Sequence, residues 1–237
     1  ELNRLGNVIA EMGGLAESQL ADAVTALTQR DEALASAVIS QDKQMDALES
    51  SVDALALRML ALRQPQAVDL RAIISGLRIS AELERIGDYA KNVAKRSLTL
   101  LQTPPIGNAA ATIARMSGIV GGMISNVIDA YVAPDLAKAD DVRARDAEVD
   151  QINTSLFREL LTYMMEDPRN ITSCTHLLFI AKNIERMGDH TTNIAEQVHY
   201  MVGGEVLGHD RPKQDLSSST FVSSGGSSGI SSGDKSP

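Results

Sequence analysis

The sequence has no tryptophan, and aromatic residues make up only 3% of its 237 positions. A β-sandwich would draw its core from aromatic and β-branched side chains. Here Ala, Leu, Ile, Val and Met dominate instead, which favours helices. A single cysteine, Cys174, excludes an internal disulfide and fits a reducing, cytoplasmic compartment. No apolar run approaches the roughly 18 residues of a membrane-spanning helix, and no signal-peptide pattern opens the chain. Positive charge is scarce as well. The net charge of −9 argues against bulk electrostatic binding to nucleic acid or anionic lipid. The sequence also lacks a phosphate-cradling glycine loop, a nucleophile elbow and a Cys/His pair for covalent chemistry. The seven prolines all fall at expected boundaries or in the tail, so no helix interior has to absorb one.

What is present is helical periodicity. Leu5, Val8, Ile9, Met12, Leu20, Ala23, Val24 and Leu27 keep the spacing of a first helix over Leu2 to Leu27, which Gln29-Arg30-Asp31 interrupts. Met45, Leu48, Val52, Leu55, Met59 and Leu62 step by threes and fours along a second helix that Pro65 ends. A third runs from about Val68 to Leu98. Thr103 to Asn108, with two prolines and a glycine, is a linker. Ile113, Met116, Val120, Met123, Val127 and Ile128 mark a fourth helix that stops before Pro134. Val142, Val149, Ile152, Leu156 and Leu160 mark a fifth that ends at Asp167-Pro168, and a sixth runs from about Thr172 to Met201. The expected fold is all-α: two tandem, duplicated three-helix bundles over residues 1–103 and 109–208. A Ser/Gly-rich tail over 209–237 is too poor in apolar surface to order itself.

The duplication is visible in one short segment. Glu84-Arg85-Ile86-Gly87-Asp88, with Asn92, returns as Glu185-Arg186-Met187-Gly188-Asp189, with Asn193, at an offset of 101 residues. Asp42 to Asp46 returns as Asp146 to Asp150 at an offset of 104, which places a three-residue difference in the turns near Pro65 and Pro168. Residues four apart share one helix face. Like charges at that spacing cost about 0.2–0.5 kcal/mol, and a mid-helix glycine costs about 1 kcal/mol. Accepting both twice suggests a use. Asp42, Asp46, Glu49 and Asp53 lie beside the apolar seam of the second helix, and Glu84, Asp88 and Asn92 share a stripe on the third. Each unit is therefore expected to bring four or more carboxylates onto one outer surface, an oxygen-rich donor set that suits Mg, Mn, Fe or Ca.

Plainer readings stand beside this one. The stripes are also what solvated helix faces look like, with Arg85 and Arg186 in surface ion pairs of little value. Gly87 and Gly188 serve equally well to admit a neighbouring helix or a metal-bearing side chain. His190, with Tyr89 in its place in the first half, reads as a surface residue, and His176, His199 and His209 form no ligand spacing. Neither half has the Glu-x-x-His pattern of carboxylate-bridged di-iron bundles, so an oxygen-activating core is disfavoured.

The two Glu-Arg-x-Gly-Asp segments, the two Asp-x-x-x-Asp segments and the stretch Pro65-Gln66-Ala67-Val68-Asp69-Leu70-Arg71 closely resemble the PhoU family of bacterial phosphate-signalling regulators, from about Glu1 to Met201. The resemblance implies a cytoplasmic adaptor, peripheral to the inner membrane and homodimeric. Such a protein connects the ATPase subunit of the Pst phosphate transporter to a PhoR-type sensor histidine kinase and keeps the phosphate regulon off when phosphate is plentiful. It further implies multinuclear metal clusters, iron first, with Zn, Mn or Mg as alternatives. By position the ligands are Asp42, Asp46, Glu84 and Asp88 in one half and Asp146, Asp150, Glu185 and Asp189 in the other. Glu49 is an added ligand whose counterpart is Asn153. The competing classes are a metal-dependent enzyme with a carboxylate-bridged cluster and a plain helical scaffold.

Overall fold

The structure is a computed structural model and describes residues 1–62 and 65–204. The tail expected over 209–237 lies outside the described residues. Within them the regular elements are helices alone: α1 (Leu2–Gln29), α2 (Glu32–Leu62), α3 (Ala67–Leu100), α4 (Ala109–Val132), α5 (Leu136–Glu166) and α6 (Ile171–Gly203). A 3₁₀ turn, Pro168–Asn170, leads into α6. Each expected helix is present, with most ends within a few residues of the expected ones; α2 and α5 start earlier than their clearest apolar runs, at Glu32 and Leu136.

The boundaries have local causes. Arg30 closes α1 in the left-handed region, at φ 58°. That strained position is held because its guanidinium donates to the carbonyls of Leu101 and Thr103, at 2.6 and 3.0 Å. Asp31 then caps α2 by accepting from Leu34 N–H, and Asp135 caps α5 by accepting from Lys138 N–H. Asp167 caps the 3₁₀ turn in the same way. The two connections, 63–66 and 167–170, are equally long; the three-residue change of repeat offset lies instead in the inner helices, since α3 starts 17 residues before Glu84 and α6 only 14 before Glu185.

The two units do not stand apart. α1 packs on α4 and α3 on α6, so these four helices share one core, with α2 flanking α1 and α3 and α5 flanking α4 and α6. Ile79, Leu83, Ile86, Ala90 and Val93 of α3 are all fully buried. Each large apolar side chain among them contributes roughly 1.5–3 kcal/mol by leaving water. Leu62 departs from expectation: the α2 seam closes at Met59, and Leu62, the last residue of the helix, is exposed. Cys174 is fully buried, and burial pushes its thiol up, which leaves it an inert core residue. α4 also corrects an expectation. By length and composition alone it is apolar enough to cross a membrane. Ile113, Met116, Val120, Met123, Ile124 and Val127 spend that apolar surface on the protein's own core.

α3 and α6 run antiparallel. As the α3 partner advances through Arg78, Glu82 and Arg96, the α6 partner retreats through Gln197, Asn193 and Phe179. Near the middle, Tyr89 stacks on His190 at 5.5 Å, one repeat-equivalent residue on the other. His190 is therefore no surface residue. Its Nδ1 lies 2.5 Å from Glu82, and Asn193 donates to the same carboxylate oxygen at 3.1 Å. Burial works to raise the Glu82 carboxyl, but the hydrogen bonds from His190 and Asn193 outweigh it and hold the group below its usual range.

Candidate metal centre

The acidic residues lie on the outer helices α2 and α5 and on the inner helices that face them. In the first half Asp42, Met45, Asp46 and Glu49 recur at threes and fours along α2, opposite Glu84, Gly87, Asp88 and Lys91 on α3. Met45 and Gly87 meet at the seam, where a Cβ on Gly87 would lie 3.3 Å from Met45 Cγ and 3.1 Å from the amide oxygen of Gln19. Each step of four residues turns the helix by about 40° past a full circle. The Glu84–Asp88 stripe has therefore rotated away by Asn92, which is exposed, and Lys91 takes the place that the sequence assigned to an amide.

The carboxylates are close enough to feel one another. Glu84 is raised from 4.5 to about 7, chiefly by burial and then by Asp88, Glu49 and Asp46. Glu49 is raised by burial, Asp53 and Asp46. Burial first, and the neighbouring carboxylates second, hold a proton on Glu84 near neutrality, a condition that a bound cation would relieve. One cation is built in. Lys91 Nζ lies 2.5 Å from Asp42 and 3.2 Å from Asp88, bridging the two helices.

The second half has the same plan with a different environment. Asp146, Asp150 and Glu185 are 8%, 5% and 4% exposed, so the expected outer surface is here an interior seam. Asn153, in the place of Glu49, is buried too. A Cβ on Gly188 would lie 3.1 Å from Asp146 Oδ1. This glycine admits a candidate ligand, whereas Gly87 admits core side chains. Lys182 pairs with Glu185 at 2.8 Å from one turn earlier on the same helix. Thr192, the counterpart of Lys91, turns its hydroxyl to the Asp189 carbonyl. Neither arginine of the repeated segment is needed to neutralise these rows: Arg186 lies over the Tyr89 ring, and Arg85 is exposed.

The donor chemistry of all nine predicted residues, Asp42, Asp46, Glu49, Glu84, Asp88, Asp146, Asp150, Glu185 and Asp189, fits a hard cation. As the side chains stand, however, no three His, Cys, Asp or Glu among the described residues converge closely enough to hold one. In the first half the bridge explains part of this, because Asp42 and Asp88 point to Lys91. Sequence reasoning missed both Lys91 and Gln19. The signal for Lys91 was its position seven residues after Glu84, on the same face. That for Gln19 was a polar residue among Ala16, Leu20 and Ala23, buried at 1% exposure. A cavity of about 500 Å³ opens away from the acid rows, at the end of the bundle, between Leu2, Met59, Pro65, Asp69 and Ile73.

Fold and seams together define a class: a duplicated helical bundle with a paired row of carboxylates on each flank. Residues 9–97 and 113–198 match the PhoU domain, once for each half, and the chain belongs to the PhoU family. It is 50% identical over 216 residues to a phosphate-specific transport system accessory protein PhoU homolog of Caulobacter vibrioides, covering 91% of this chain and 94% of that protein. The like-named protein of Rhizobium meliloti is 50% identical over 218 residues, 92% of each chain. The crystal structure of PhoU from Pseudomonas aeruginosa superimposes with a TM-score of 0.83 at 39% identity, covering 86% of this chain and 98% of that one.

Proposed function

We propose that this protein is a regulatory accessory protein of phosphate-specific transport. In this reading it is a negative regulator of the phosphate regulon that links the ATPase subunit of a Pst-type transporter to a PhoR-type sensor kinase. It works in the cytoplasm, peripheral to the inner membrane and as a homodimer. One observation carries the regulatory reading over an enzymatic one. The acid rows occur twice, on the two flanks of a bundle with one continuous core, and cavities of about 500 and 490 Å³ open at its end, away from them. Catalysis would want a concave site next to the charged groups. Pull-down with the transporter ATPase and the kinase, at low and high phosphate, tests the adaptor role; the expected result is phosphate-dependent capture of at least one, and capture of neither refutes it.

Within that role the two seams are metal sites, formed by Asp42, Asp46, Glu49, Glu84 and Asp88 on one flank and Asp146, Asp150, Glu185 and Asp189 on the other. A bound cation, iron first with Zn, Mn or Mg as alternatives, supplies positive charge that offsets the carboxylate repulsion. The residues on α2 and α3, or on α5 and α6, then share one partner, and the outer helix is tied to the inner one. The raised Glu84 supports this for the first half and the burial of Asp146, Asp150 and Glu185 for the second. A second reading, the plain scaffold, is favoured by the lysines already paired in each seam. Elemental analysis of protein purified without chelator separates the two. Metal that falls in a Glu84→Ala/Asp88→Ala variant supports the sites, and equal content in both proteins removes the first-half assignment.

A further inference from the structure

Each copy of the repeated segment carries an arginine on the outer face of the α3 and α6 pair. Arg85 and Arg186 are both exposed, and Arg186 lies over the Tyr89 ring at 5.9 Å. The same stripe continues in both directions along the seam. Towards one end Arg78, also exposed, lies over the Tyr200 ring at 5.7 Å and donates to the Gln197 side chain. Beyond it is half-buried Arg71, whose guanidinium would lie 3.2 Å from a Cβ on Gly204. Towards the other end Arg96 lies 4.2 Å from the centre of the Phe179 ring, a residue that is 50% exposed. Five guanidinium groups thus follow one seam in a chain of net charge −9. Among the described residues of this stripe the carboxylate is Glu82, which His190 and Asn193 already hold.

We propose that the outer face of α3 and α6 is a docking surface for an acidic helix of a partner protein, laid along the seam between the two helices. This deepens the adaptor reading and rests on it, but it requires no metal. Arginine and aromatic residues are the types enriched where partners bind. The chain has four tyrosines and three phenylalanines, yet Tyr89, Tyr200 and Phe179 all stand beside these guanidinium groups. An arginine already laid on a ring loses less freedom when it takes a carboxylate. Spacing selects a helix as the occupant. Arg71, Arg78 and Arg85 recur every seven residues, which is about 10.5 Å per step along α3. A partner helix returns a carboxylate to one face at the same interval. An extended chain covers that distance in about three residues, which point to opposite sides.

Width argues against a broader polyanion. The stripe is bordered on one side by half-exposed Asp88 and exposed Asp46 and Asp53, and on the other by half-exposed Asp189. A membrane of anionic lipid or a nucleic-acid duplex that reaches the arginines also meets these carboxylates, and the net charge of −9 repels it at a distance. A single helix, about 10–12 Å across, fits between the acid rows. From Arg71 to Arg96 the seam runs for about 37 Å at about 1.5 Å per residue, the length of a partner helix of about seven turns.

The test compares capture of the transporter ATPase and the kinase by the full wild-type chain and by Arg85→Glu/Arg186→Glu. Charge reversal is expected to lower capture about tenfold with an unchanged melting curve, and the neutral Arg85→Gln/Arg186→Gln, which keeps the side-chain bulk, to lower it less. Equal capture by all three overturns the inference and leaves the adaptor role in place, whereas capture of neither protein by wild type overturns both. A fluorescein-labelled peptide of four helical heptads, with one glutamate per heptad and alanine, glutamine and leucine elsewhere, reports the partner's chemistry by anisotropy. It is expected to bind wild type more tightly than a scrambled peptide of the same composition and to lose that advantage with the reversed variant. The same peptide with lysine for glutamate should bind the reversed variant instead, a rescue that a misfolded variant cannot give. Equal binding of ordered and scrambled peptides overturns the helical occupant. Arginine-dependent binding to phosphatidylglycerol vesicles, without binding of the peptide, overturns the inference in favour of a lipid surface.

Discussion

Glu84→Gln offers the most direct test of the electrostatics at the first seam. The wild-type carboxyl is raised from 4.5 to about 7, first by burial and then by Asp88, Glu49 and Asp46. A folded-state value above the unfolded one means that the native protein holds the proton more tightly. The stabilisation is therefore complete below about pH 4.5 and is lost as pH rises through about 7. Taken at face value the shift corresponds to about 3 kcal/mol. Glu84 is only half-buried, however, and water screens its neighbours, which brings the effect to about 1–2 kcal/mol. Glutamine keeps the shape and removes the titration. In the presence of chelator, Glu84→Gln should be more stable than wild type by about 1–2 kcal/mol at pH 8 and nearly equal to it at pH 5. For a chain of this size that is a rise in melting temperature of about 2–8 °C at the higher pH. Thermal melts followed by circular dichroism at both pH values, in EDTA, make the measurement. A difference between the two proteins that is the same at pH 5 and pH 8, or a variant less stable at pH 8, would refute the account of a repulsive acid cluster.

Glycines separate packing from propensity. Gly118→Ala, whose Cβ meets nothing within 4 Å, should stabilise α4 by about 0.5–1 kcal/mol in urea unfolding. Gly188→Ala, whose Cβ would press on Asp146 Oδ1 at 3.1 Å, should gain less than Gly118→Ala and should weaken Mn²⁺ binding by the second half; an equal gain with unchanged binding argues against a close fit. His190→Ala removes the partner of Glu82 and the stack on Tyr89 and should cost about 1–3 kcal/mol at pH 7. A loss below about 0.5 kcal/mol would leave it in the range of an ordinary surface residue. Ile79→Ala, in the core shared by the two halves, should cost about 2–5 kcal/mol and lower a single unfolding transition; two separate transitions, with only one displaced, would show that the halves unfold independently.

Much of the architecture was legible because helices announce themselves locally. Apolar residues at threes and fours, and prolines confined to gaps, set six helices within a residue or two of where they lie, except that α2 reaches back to Glu32 and α5 to Leu136, before their clearest apolar runs. Leu62 shows the limit of periodicity. It continues the pattern of Met45 to Met59, yet it lies exposed at the last residue of α2. The repeated acids could be found by comparing the chain with itself. Their environments could not: Asp46 is exposed while its counterpart Asp150 is buried, although both halves spell the same motif.

The sequence by itself determined the helices, their duplication and the identity of the acidic rows, since each depends on residues within a few turns of one another or on simple self-similarity. Only the tertiary structure decided what stands between the rows. Lys91 reaches Asp42 across 49 residues of chain, Glu82 meets His190 across 108, and Gly188 faces Asp146 from another helix. Such pairings follow from how helices cross and rotate against one another, which depends on the packing of the whole core and leaves no trace in the spacing of residues along any one of them.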